Sequence, residues 1–552
     1  MAESSPRVMS TFLYTLLGLT VGSSLHCPER REISPCSCRV QEHYSDTTAV
    51  VCERMASFGA VAEALRGKFS PDADIALRVS HSRLADLDNH TFQGLGFLVS
   101  TLKLNNDDLS VLEESVFAGL GRLQFLSLAD NQLGAVPRHV LRQTPHVKTL
   151  DLSRSQLQRV AAEDFQDIPE LHSLILGTND ISELEQKSLP RTLRHLHLAR
   201  NKLSDLNYTL RELSSLEWLF INENQLRSLD GQLPAGEAAG LKLLHAANNQ
   251  LQRLPPELRG LARLESLFVH CNELGELGGA LQRLRALKRL HLHSNAIAEL
   301  SPDDFLELES LEDLQLQNNR LRALNGSLLP LRALRYLNLS RNQLPEFSLQ
   351  EIRGLNSIRV LDLSYNSISQ LGGQMENLVE AETRVLDLRL EHNNLRSLAG
   401  SLMGLQGLRK LSLSHNGLQA ISPDDLIGLD DLRFLDVSNN HLSTLEETSK
   451  TFLPSLERLI ASNNFLTTLD KDFHGLPALC YADLSNNLIE VVGRELASAP
   501  HCRLLGVAGT LRVELQGNPI FCTPDLASTM RAMNNTKLLG VTCPVAEVVS
   551  VE

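Results

Sequence analysis

Histidine and aromatic side chains are concentrated in one stretch of the chain. His195 and His197, and again His291 and His293, form His-x-His pairs, and His270 lies between them. Imidazole titrates near neutral pH and is a common ligand of transition metals, so acid–base chemistry and metal binding are both open to these residues. Isolated surface histidines are much more common than metal sites, and the sequence therefore predicts neither a metal nor any other cofactor.

The nine cysteines lie mostly at the two ends of the chain. In an oxidising compartment, such groups of four predict disulfide bonds at both ends. The N-terminal spacing Cys-x8-Cys-x-Cys-x13-Cys lacks the paired Cys-x2-Cys elements typical of zinc sites. Nine is odd, and Cys271 stands alone in the middle, so Cys271 is predicted to be unpaired. The two groups are Cys27, Cys36, Cys38 and Cys52, and Cys480, Cys502, Cys522 and Cys543.

Paired acidic residues are the remaining candidates for catalysis. Asp303-Asp304 and Asp424-Asp425 both occur in Ser-Pro-Asp-Asp segments at equivalent places in two repeats. This position indicates capping of a helix or turn rather than catalysis. The sequence contains no Gly-x-Ser-x-Gly, no phosphate-binding loop and no His-Glu-x-x-His. We therefore expect a protein that is not an enzyme.

The N-terminus and the overall charge indicate the compartment. Residues 1–24 combine Arg7, an apolar run from about Thr11 to Val21 and small residues after it, which predicts a secretory signal peptide. No other stretch is long and apolar enough to span a membrane. The net charge of −14 disfavours binding to nucleic acid or to anionic membranes. We expect a secreted protein of the extracellular space or matrix, without membrane insertion; the sequence sets no oligomeric state.

One short unit is repeated along most of the chain. The segment Ile358–Ile368 fits the pattern L-x-x-L-x-L-x-x-N-x-L, in which positions 4 and 6 alternate with polar residues as in a strand. Each unit exposes a strip of Leu, so neighbouring units must stack to bury it. The ninth residue lies where the chain leaves the strand, and an Asn amide there pairs with backbone groups more completely than Ser or Asp. The nineteen ninth positions are Ser82, Asp107, Asn131, Ser155, Asn179, Asn201, Asn224, Asn249, Asn272, Asn295, Asn319, Asn342, Asn366, Asn393, Asn416, Asn440, Asn464, Asn487 and Asn518.

The step before Asn518 is 31 residues long, whereas most steps are 22–25 residues. Its segment CRLLGVAGT, from Cys502 to Thr510, leaves open whether a degenerate extra turn of the repeat lies there.

With these motifs, residues 73–520 resemble extracellular leucine-rich repeat proteins of the typical 24-residue class. The resemblance implies an α/β-type solenoid, a horseshoe of about 19 repeats with a parallel concave sheet and a disulfide cap at each end. It places a cysteine-rich N-terminal cap at residues 25–72 and a C-terminal cap at residues 521–552.

The caps of this family also imply particular disulfide bonds. At the N-terminus the resemblance implies the pairs Cys27–Cys38 and Cys36–Cys52. The segment Asn518–Cys522 resembles the opening of the family's C-terminal cap, which implies that Cys543 closes it through a bond to Cys522. The usual cap has four cysteines after this point, whereas this chain has two. We expect Cys480 and Cys502 to pair, since they lie about one repeat apart.

The concave face is where repeat proteins bind their partners. Positions 3, 5 and 7 of each repeat point towards it, and exposed aromatic residues among polar neighbours are typical of interface anchors. Shielding of the sheet from water is the alternative reading of these large side chains. The predicted ligand-binding patch comprises His195, His197, Trp218, Phe220, His245, Phe268, His270, Arg289, His291, His293 and Tyr336.

Five sequons predict N-glycosylation, at Asn89, Asn207, Asn325, Asn338 and Asn534. The first three fall outside the strands. Asn338 lies at position 5 of its repeat, on the predicted concave face. A glycan at Asn338 would confine a protein ligand to the N-terminal side of that face.

These features favour a secreted binding protein that captures an extracellular protein ligand or cell-surface receptor. Within the family the chain looks most like soluble carriers such as the acid-labile subunit of the insulin-like growth factor complex. Three alternatives remain: an adhesion or matrix protein resembling connectin or chaoptin, a soluble immune recognition protein resembling a Toll ectodomain, and a non-catalytic subunit of a secreted enzyme.

Overall fold

We analysed a computed structural model of the protein. It describes residue 27, residues 31–40, residues 48–372 except 235, 237 and 238, and residues 384–522 except 404, 446–449, 494, 497, 499, 505 and 506. It also describes residues 526, 528, 530, 533 and 535–541. The predicted signal peptide lies outside the described residues. The chain divides into two compact units, residues up to 132 together with 137–148, and residues 133–136 together with 149 onwards.

The first unit contains the N-terminal cap and the first repeats. Ser37–Val40 pairs antiparallel with Thr48–Glu53, and the parallel strands Asp74–Ser80, Leu98–Asn105 and Phe125–Ser127 follow. The disulfides Cys27–Cys38 and Cys36–Cys52 have the pairing that the family resemblance implied. The helix Phe58–Leu65 begins after Ser57, whose hydroxyl accepts from the Ala60 N–H. The remaining helices are the 3-10 turns Leu87–Asn89, Phe92–Leu95 and Glu114–Phe117 and the single α-turn Arg138–Leu141.

The second unit is a stack of short parallel strands, and each of them except Thr536–Leu539 contains a buried apolar residue. Neighbouring strands pair in register, so residues at the same position of successive repeats lie side by side. The strands of this sheet are Thr149–Asp151, Ser173–Ile175, His195–His197, Trp218–Phe220, Leu243–His245, Ser266–Phe268, Arg289–His291, Asp313–Gln315, Tyr336–Asn338, Val360–Asp362, Asp387–Arg389, Lys410–Ser412, Phe434–Asp436, Arg458–Ile460, Tyr481–Asp483, Leu511–Glu514 and Thr536–Leu539.

Short strand pairs and 3-10 turns lie in the connections between the strands of this sheet. They are the parallel pairs Arg159–Val160 with Glu183–Leu184, Glu346–Ser348 with Gln370–Gly372 and Thr468–Leu469 with Val491–Val492, and the 3-10 turns Pro256–Gly260, Leu349–Ile352 and Pro423–Asp425. The paired acidic residues lie in these connections. Asp304 accepts from the Ser301 N–H and Asp425 from the Ser422 N–H, both at 2.7 Å. The predicted capping role of the acidic pairs is confirmed.

The Asn at the ninth position ties each turn to the one before it. In Asn366, Nδ2 lies 3.0 Å from the carbonyl oxygens of Leu339 and Leu363 and 3.2 Å from that of Ser364. Its Oδ1 accepts from the Leu344 N–H at 3.1 Å. One side chain therefore serves backbone groups of two consecutive turns, and the same pattern recurs along the repeats. Sequence-based assignment of the ninth position is confirmed.

The C-terminal end departs from the repeat. The sheet passes directly from Tyr481–Asp483 to Leu511–Glu514, and the segment between them carries an antiparallel hairpin of Arg503–Leu504 with Val507–Ala508. The long last step of the sequence is therefore an inserted hairpin and not a further turn. The disulfide Cys480–Cys502 anchors the residue directly before the hairpin. Cys522 is also disulfide-bonded, and Cys543 lies outside the described residues.

The predicted fold class is confirmed as a leucine-rich repeat β-solenoid of about 19 turns with a parallel sheet. The structure adds one strand that the sequence did not indicate. Thr536–Leu539 pairs in parallel with Leu511–Glu514 and extends the sheet beyond the last ninth-position Asn.

Replacing a ninth-position Asn should cost more folding free energy than replacing a ninth-position Ser. Ser82 makes two contacts, donating to the Ser80 carbonyl at 3.0 Å and accepting from the Met55 N–H at 2.9 Å. We expect Asn366→Ala to lower the free energy of unfolding by ~2–3 kcal/mol and Ser82→Ala by ~1 kcal/mol, because fewer backbone groups lose a partner. Guanidinium chloride unfolding followed by circular dichroism measures both, with the exposed neighbour variant Ser367→Ala as control. Equal losses of unfolding free energy in Asn366→Ala and Ser82→Ala would contradict the roles given to these two side chains.

Asp107 occupies a ninth position, but its carboxylate has no hydrogen-bond donor to replace the amide of Asn. Its side chain is fully buried, Oδ1 accepts from the Ser82 N–H at 2.8 Å, and Oδ2 has no hydrogen-bond partner. Burial raises the pKa of Asp107 to about 7, with the neighbouring charge of Asp108 adding to the rise and the Ser82 bond opposing it. Since the same carboxyl has an ordinary pKa of 3.8, the unfolded chain loses this proton at a lower pH than the folded chain. This difference destabilises the folded state increasingly as the pH rises from 4 to 7.

Replacing Asp107 with the consensus Asn should remove that pH dependence. We expect Asp107→Asn to raise the free energy of unfolding by ~1–3 kcal/mol at pH 7.5 and by much less at pH 4.5, where the wild-type carboxyl is protonated. Denaturant unfolding of both proteins at the two pH values measures the difference. Glu114→Gln, at an exposed position that does not act on Asp107, should change this difference little. A wild-type-to-variant difference that is the same at both pH values would contradict the assignment.

Candidate functional site

A row of aromatic rings runs across five consecutive strands of the second unit. We call it the ring ladder; it consists of His197, Phe220, His245, Phe268 and His291, all at position 5 of their repeats. In-register parallel pairing places each beside the next. The successive ring centroids are 5.2, 6.1, 5.4 and 4.7 Å apart. Such separations are typical of aromatic rings in contact, so the five rings form one continuous surface.

Two further stacked pairs flank the ring ladder. Trp218 stacks on His195, with centroids 4.2 Å apart, and His270 stacks on His293, also at 4.2 Å. Trp218 is 45% exposed, as expected for an anchor. The sequence predicted Phe220 and Phe268 to be exposed. Both are instead half-buried, because neighbouring rings cover them. Histidine and phenylalanine thus shield each other, and Trp218 projects from the edge of the surface.

A glycine makes room for the first ring of the ladder. His197 lies over Gly177 of the preceding turn, where an added Cβ would come within 2.6 Å of its Cε1 atom. The Nδ1 atom of His197 is buried there without a hydrogen-bond partner. A larger residue at position 177 would push the ring off the sheet, so Gly177 belongs to the site although the sequence analysis did not single it out.

Most histidines of this surface are less basic than their residue type suggests. Burial lowers the pKa of His195, His197, His245 and His293 below the ordinary value of 6.5. For His270, burial together with the neighbouring histidines lowers the pKa to about 4. The expectation that these imidazoles titrate near neutral pH is therefore wrong for the five histidines named here. At neutral pH these five imidazoles are uncharged.

Charged and polar groups border the aromatic surface. His291 Nε2 lies 3.3 Å from Asp313 Oδ2 on the next strand. Burial opposes ionisation of Asp313, but hydrogen bonds from His291 and Gln315 outweigh it and lower the pKa of this carboxyl. Arg289 bonds through Nε to the Ser266 hydroxyl at 3.0 Å. The Asp313 carboxylate, fixed by its hydrogen bonds to His291 and Gln315, therefore places a negative charge at one edge of the ring ladder.

Tyr336 lies apart from the other predicted patch residues. It is half-exposed, and the strand Asp313–Gln315 separates it from Arg289. In the described part of the chain no ring contact joins Tyr336 to the ring ladder. Beside it, Asn338 Oδ1 accepts from the N–H and the hydroxyl of Ser340. The structure therefore brings together ten of the eleven predicted patch residues.

A second row of side chains was not found from the sequence. Tyr365, His392 and His415 directly precede the ninth-position Asn in three consecutive repeats. Their rings are stacked, with successive centroids 4.2 and 4.1 Å apart. The guanidinium of Arg341 lies 4.2 Å from the Tyr365 ring centroid. All four have left-handed backbone with φ of 52–55°. We call them the position-8 stack; the signal for it was the residue type directly before each Asn.

The predicted glycosylation sites differ in their surroundings. Asn89 and Asn325 are exposed, and Asn207 and Asn338 are half-buried. The side-chain amides of Asn207 and Asn325 donate to the carbonyl oxygens of Leu184 and Leu300. Asn534 lies outside the described residues.

Three histidines are close enough to share one metal ion. His270, His291 and His293 each offer a ring nitrogen, and these nitrogens lie within 4.8 Å of one another. They lie on two neighbouring turns, because position 7 of one repeat is adjacent to positions 5 and 7 of the next.

The repeat pattern matches a known family over most of its length. The leucine rich repeat family model matches residues 76–133, 126–181, 169–226, 262–321, 285–344, 309–368, 383–442 and 434–489, which together exceed half of the chain. This chain belongs to the leucine-rich repeat family. Its relatives support the extracellular type of that family. Among the residues that the structure describes, no helix has the length and apolar character needed to cross a membrane.

Individual relatives match only part of the chain. Asporin from Bos taurus is 28% identical over 160 residues, which are 28% of this chain and 42% of asporin. Podocan-like protein 1 from Homo sapiens is 33% identical over 147 residues, 26% of this chain and 28% of that protein. The matched segments thus span less than half of either relative.

Solved structures share the fold. A chain of the Toll–Spatzle complex from Drosophila superposes with a TM-score of 0.62 at 18% identity, covering 92% of this chain and 73% of that one. YopM from Yersinia enterocolitica gives a TM-score of 0.51 at 23% identity, covering 80% and 87%. At these identities the likeness shows the fold alone.

The depressed basicity of the ring-ladder histidines can be measured directly. We expect the NMR titration midpoint of His197 to lie below 6.5 and to rise towards 6.5 in Phe220→Ala, because removing the stacked ring exposes the imidazole to water. Histidine-labelled protein provides the signals, and His197→Gln identifies the one that belongs to His197. Tyr365→Ala, in the position-8 stack, should leave the midpoint unchanged. A wild-type midpoint at or above 6.5 would contradict the burial of this ring.

Proposed function

We propose that this chain is a secreted, non-enzymatic binding protein that captures an extracellular protein on the ring ladder and the adjacent Trp218. The observation that supports it most is the continuous row of five rings, together with a tryptophan on the strand of the second ring that is 45% exposed. Trp is among the residues most enriched at the centres of protein interfaces, where it is surrounded by groups that exclude water.

The shape of the surface favours a large ligand. The rings lie on an open sheet, five strands across, and a row at ~4.8 Å per strand is about 20 Å long. A small molecule would leave most of such a surface in contact with water, whereas a protein partner covers it. Because most of its histidines are neutral, the contact would rest on apolar burial at the ladder and on charge at its Asp313 edge.

Shielding alone explains this surface less well than binding does. A sheet that needs only protection from water can use polar residues that bond to each other, as Asp362 and Ser364 do at 2.6 Å. Asp436 with Ser438 and Asp483 with Ser485 repeat this arrangement on later strands. The chain therefore places aromatic residues on five strands where a self-sufficient polar pair was available.

Within this function we favour a carrier that forms a complex with its ligand, as the resemblance to the acid-labile subunit suggests. A chain of this fold occurs in the Toll–Spatzle complex, which is compatible with a protein ligand here. A glycan on Asn338, two strands beyond His291, would limit the partner to the aromatic side of the sheet.

The anchors can be tested by capture and affinity. Recombinant wild-type chain would be used to isolate a partner from extracellular fluid, and the dissociation constant for the purified partner would then be measured. We expect Trp218→Ala to weaken binding ~30-fold, since a central aromatic anchor contributes about 2 kcal/mol or more. Tyr365→Ala, an exposed aromatic in the position-8 stack, is the matched control and should keep wild-type affinity.

The identity of the captured partner separates the functions. A peptide or hormone complex supports the carrier, a cell-surface or matrix protein the adhesion role, a microbial ligand the immune role, and an enzyme the subunit role. Unchanged affinity in both Trp218→Ala and Phe220→Ala would contradict binding at the ring ladder.

A further inference from the structure

Three histidines lie close together at the C-terminal end of the ring ladder. His270 and His293 stack face to face with centroids 4.2 Å apart, and His291 lies 6.2 Å from each. One nitrogen of each ring falls within 4.8 Å of the others. All three side chains are half-buried, and His270 Nδ1 is buried without a hydrogen-bond partner. A buried polar atom without a partner is costly and invites an explanation.

We propose that His270, His291 and His293 bind one zinc ion, with a fourth position open to water or to a side chain of a bound protein. This inference does not depend on the proposed protein partner. The sequence left metal binding open to these histidines but favoured surface histidines without a metal, and the proposal revises that preference. The repeat brings them together because positions 5 and 7 of adjacent turns lie on the same side of the sheet.

The donor set suits this metal. Zinc accepts imidazole nitrogen at ~2.0–2.1 Å, and three histidines with an open fourth position is an established arrangement. Tetrahedral binding at that distance requires the nitrogens to lie ~3.3 Å apart, so the rings must close by about 1–1.5 Å. Side-chain rotation achieves this without moving the strands, since neighbouring strands lie only ~4.8 Å apart.

A carboxylate is already in place behind one ligand. Metal-bound histidines commonly donate their second ring N–H to a carboxylate, which fixes the ring and strengthens the ligand. Nε2 of His291 lies 3.3 Å from Oδ2 of Asp313, and Gln315 donates to the other oxygen of the same carboxylate. With Nδ1 of His291 as the metal ligand and Nε2 bonded to the carboxylate, Asp313 is a positioning residue, and its negative charge lies close to where the cation would be.

The chain offers a matched control for histidine stacking. His392 and His415 stack at 4.1 Å, nearly parallel, in the position-8 stack. No third histidine, cysteine or acidic residue completes a metal-ligating group there among the residues that the structure describes. If stacked histidines alone bound zinc, this pair would do so as well.

The test is zinc titration of the full-length secreted chain without an affinity tag, after treatment with a chelator. All proteins carry Cys271→Ser, because Cys271 forms no disulfide and its thiol would compete for zinc. We expect calorimetry to show one zinc per chain. His270→Ala and His293→Ala should each weaken binding at least tenfold, and Asp313→Asn by ~10-fold. His392→Ala should bind zinc like the parent protein.

A second measurement separates loss of ligands from loss of fold. Cobalt in place of zinc should give the visible absorption of a tetrahedral site with the parent protein and with His392→Ala, and not with His293→Ala. Circular dichroism must show the same secondary structure in all variants. Absence of stoichiometric zinc binding in the parent protein, or equal weakening by His392→Ala and His293→Ala, would overturn the proposal.

Discussion

The hydrogen bonds of the ninth-position Asn are the interaction on which this structure depends. Each amide reaches backbone carbonyls of its own turn and the turn before, and its oxygen accepts from an N–H of the preceding turn. These bonds fix the point at which each turn leaves the sheet, so every strand starts in register with its neighbour. Register in turn places equivalent positions side by side, and the ring ladder is a consequence of that placement.

The same constraint explains why chemistry can be built on a repeat. A side chain at position 5 or 7 has neighbours at the same height on both adjacent strands. Substituting aromatic residues at one position in five consecutive repeats therefore creates a surface, without any change of backbone. A histidine at position 7 of two repeats creates a stacked pair, and a third at position 5 completes a cluster. The polar pairs such as Asp362 with Ser364 show the alternative use of the same positions.

Much of this organisation followed from the sequence because it is periodic. The repeat determined the strands, the ladder residues and the face on which Trp218 and the histidines lie. What the sequence did not reveal depends on contacts between neighbours. Phe220 and Phe268 are half-buried because rings on adjacent strands cover them, and the same burial lowers the pKa of His197 and His270.

Features outside the periodic pattern were also missed. The hairpin of Arg503–Leu504 with Val507–Ala508 replaces a turn that the pattern left open. The position-8 stack uses a position with left-handed backbone, and side chains there cannot be placed by strand alternation. Asp313 became visible as the partner of His291 only when the two strands were seen to be neighbours.

We propose that a partner binds at the aromatic part of the sheet. Carbene footprinting of the chain, alone and saturated with its purified partner, tests this most directly, because labelling of each peptide reports its exposure. We expect the strongest loss of labelling in the peptides containing Trp218 to Phe220, His245 and Phe268, and little change around Tyr365 and His415. Protection confined to the N-terminal cap, to the position-8 stack or to the outer connections would contradict it.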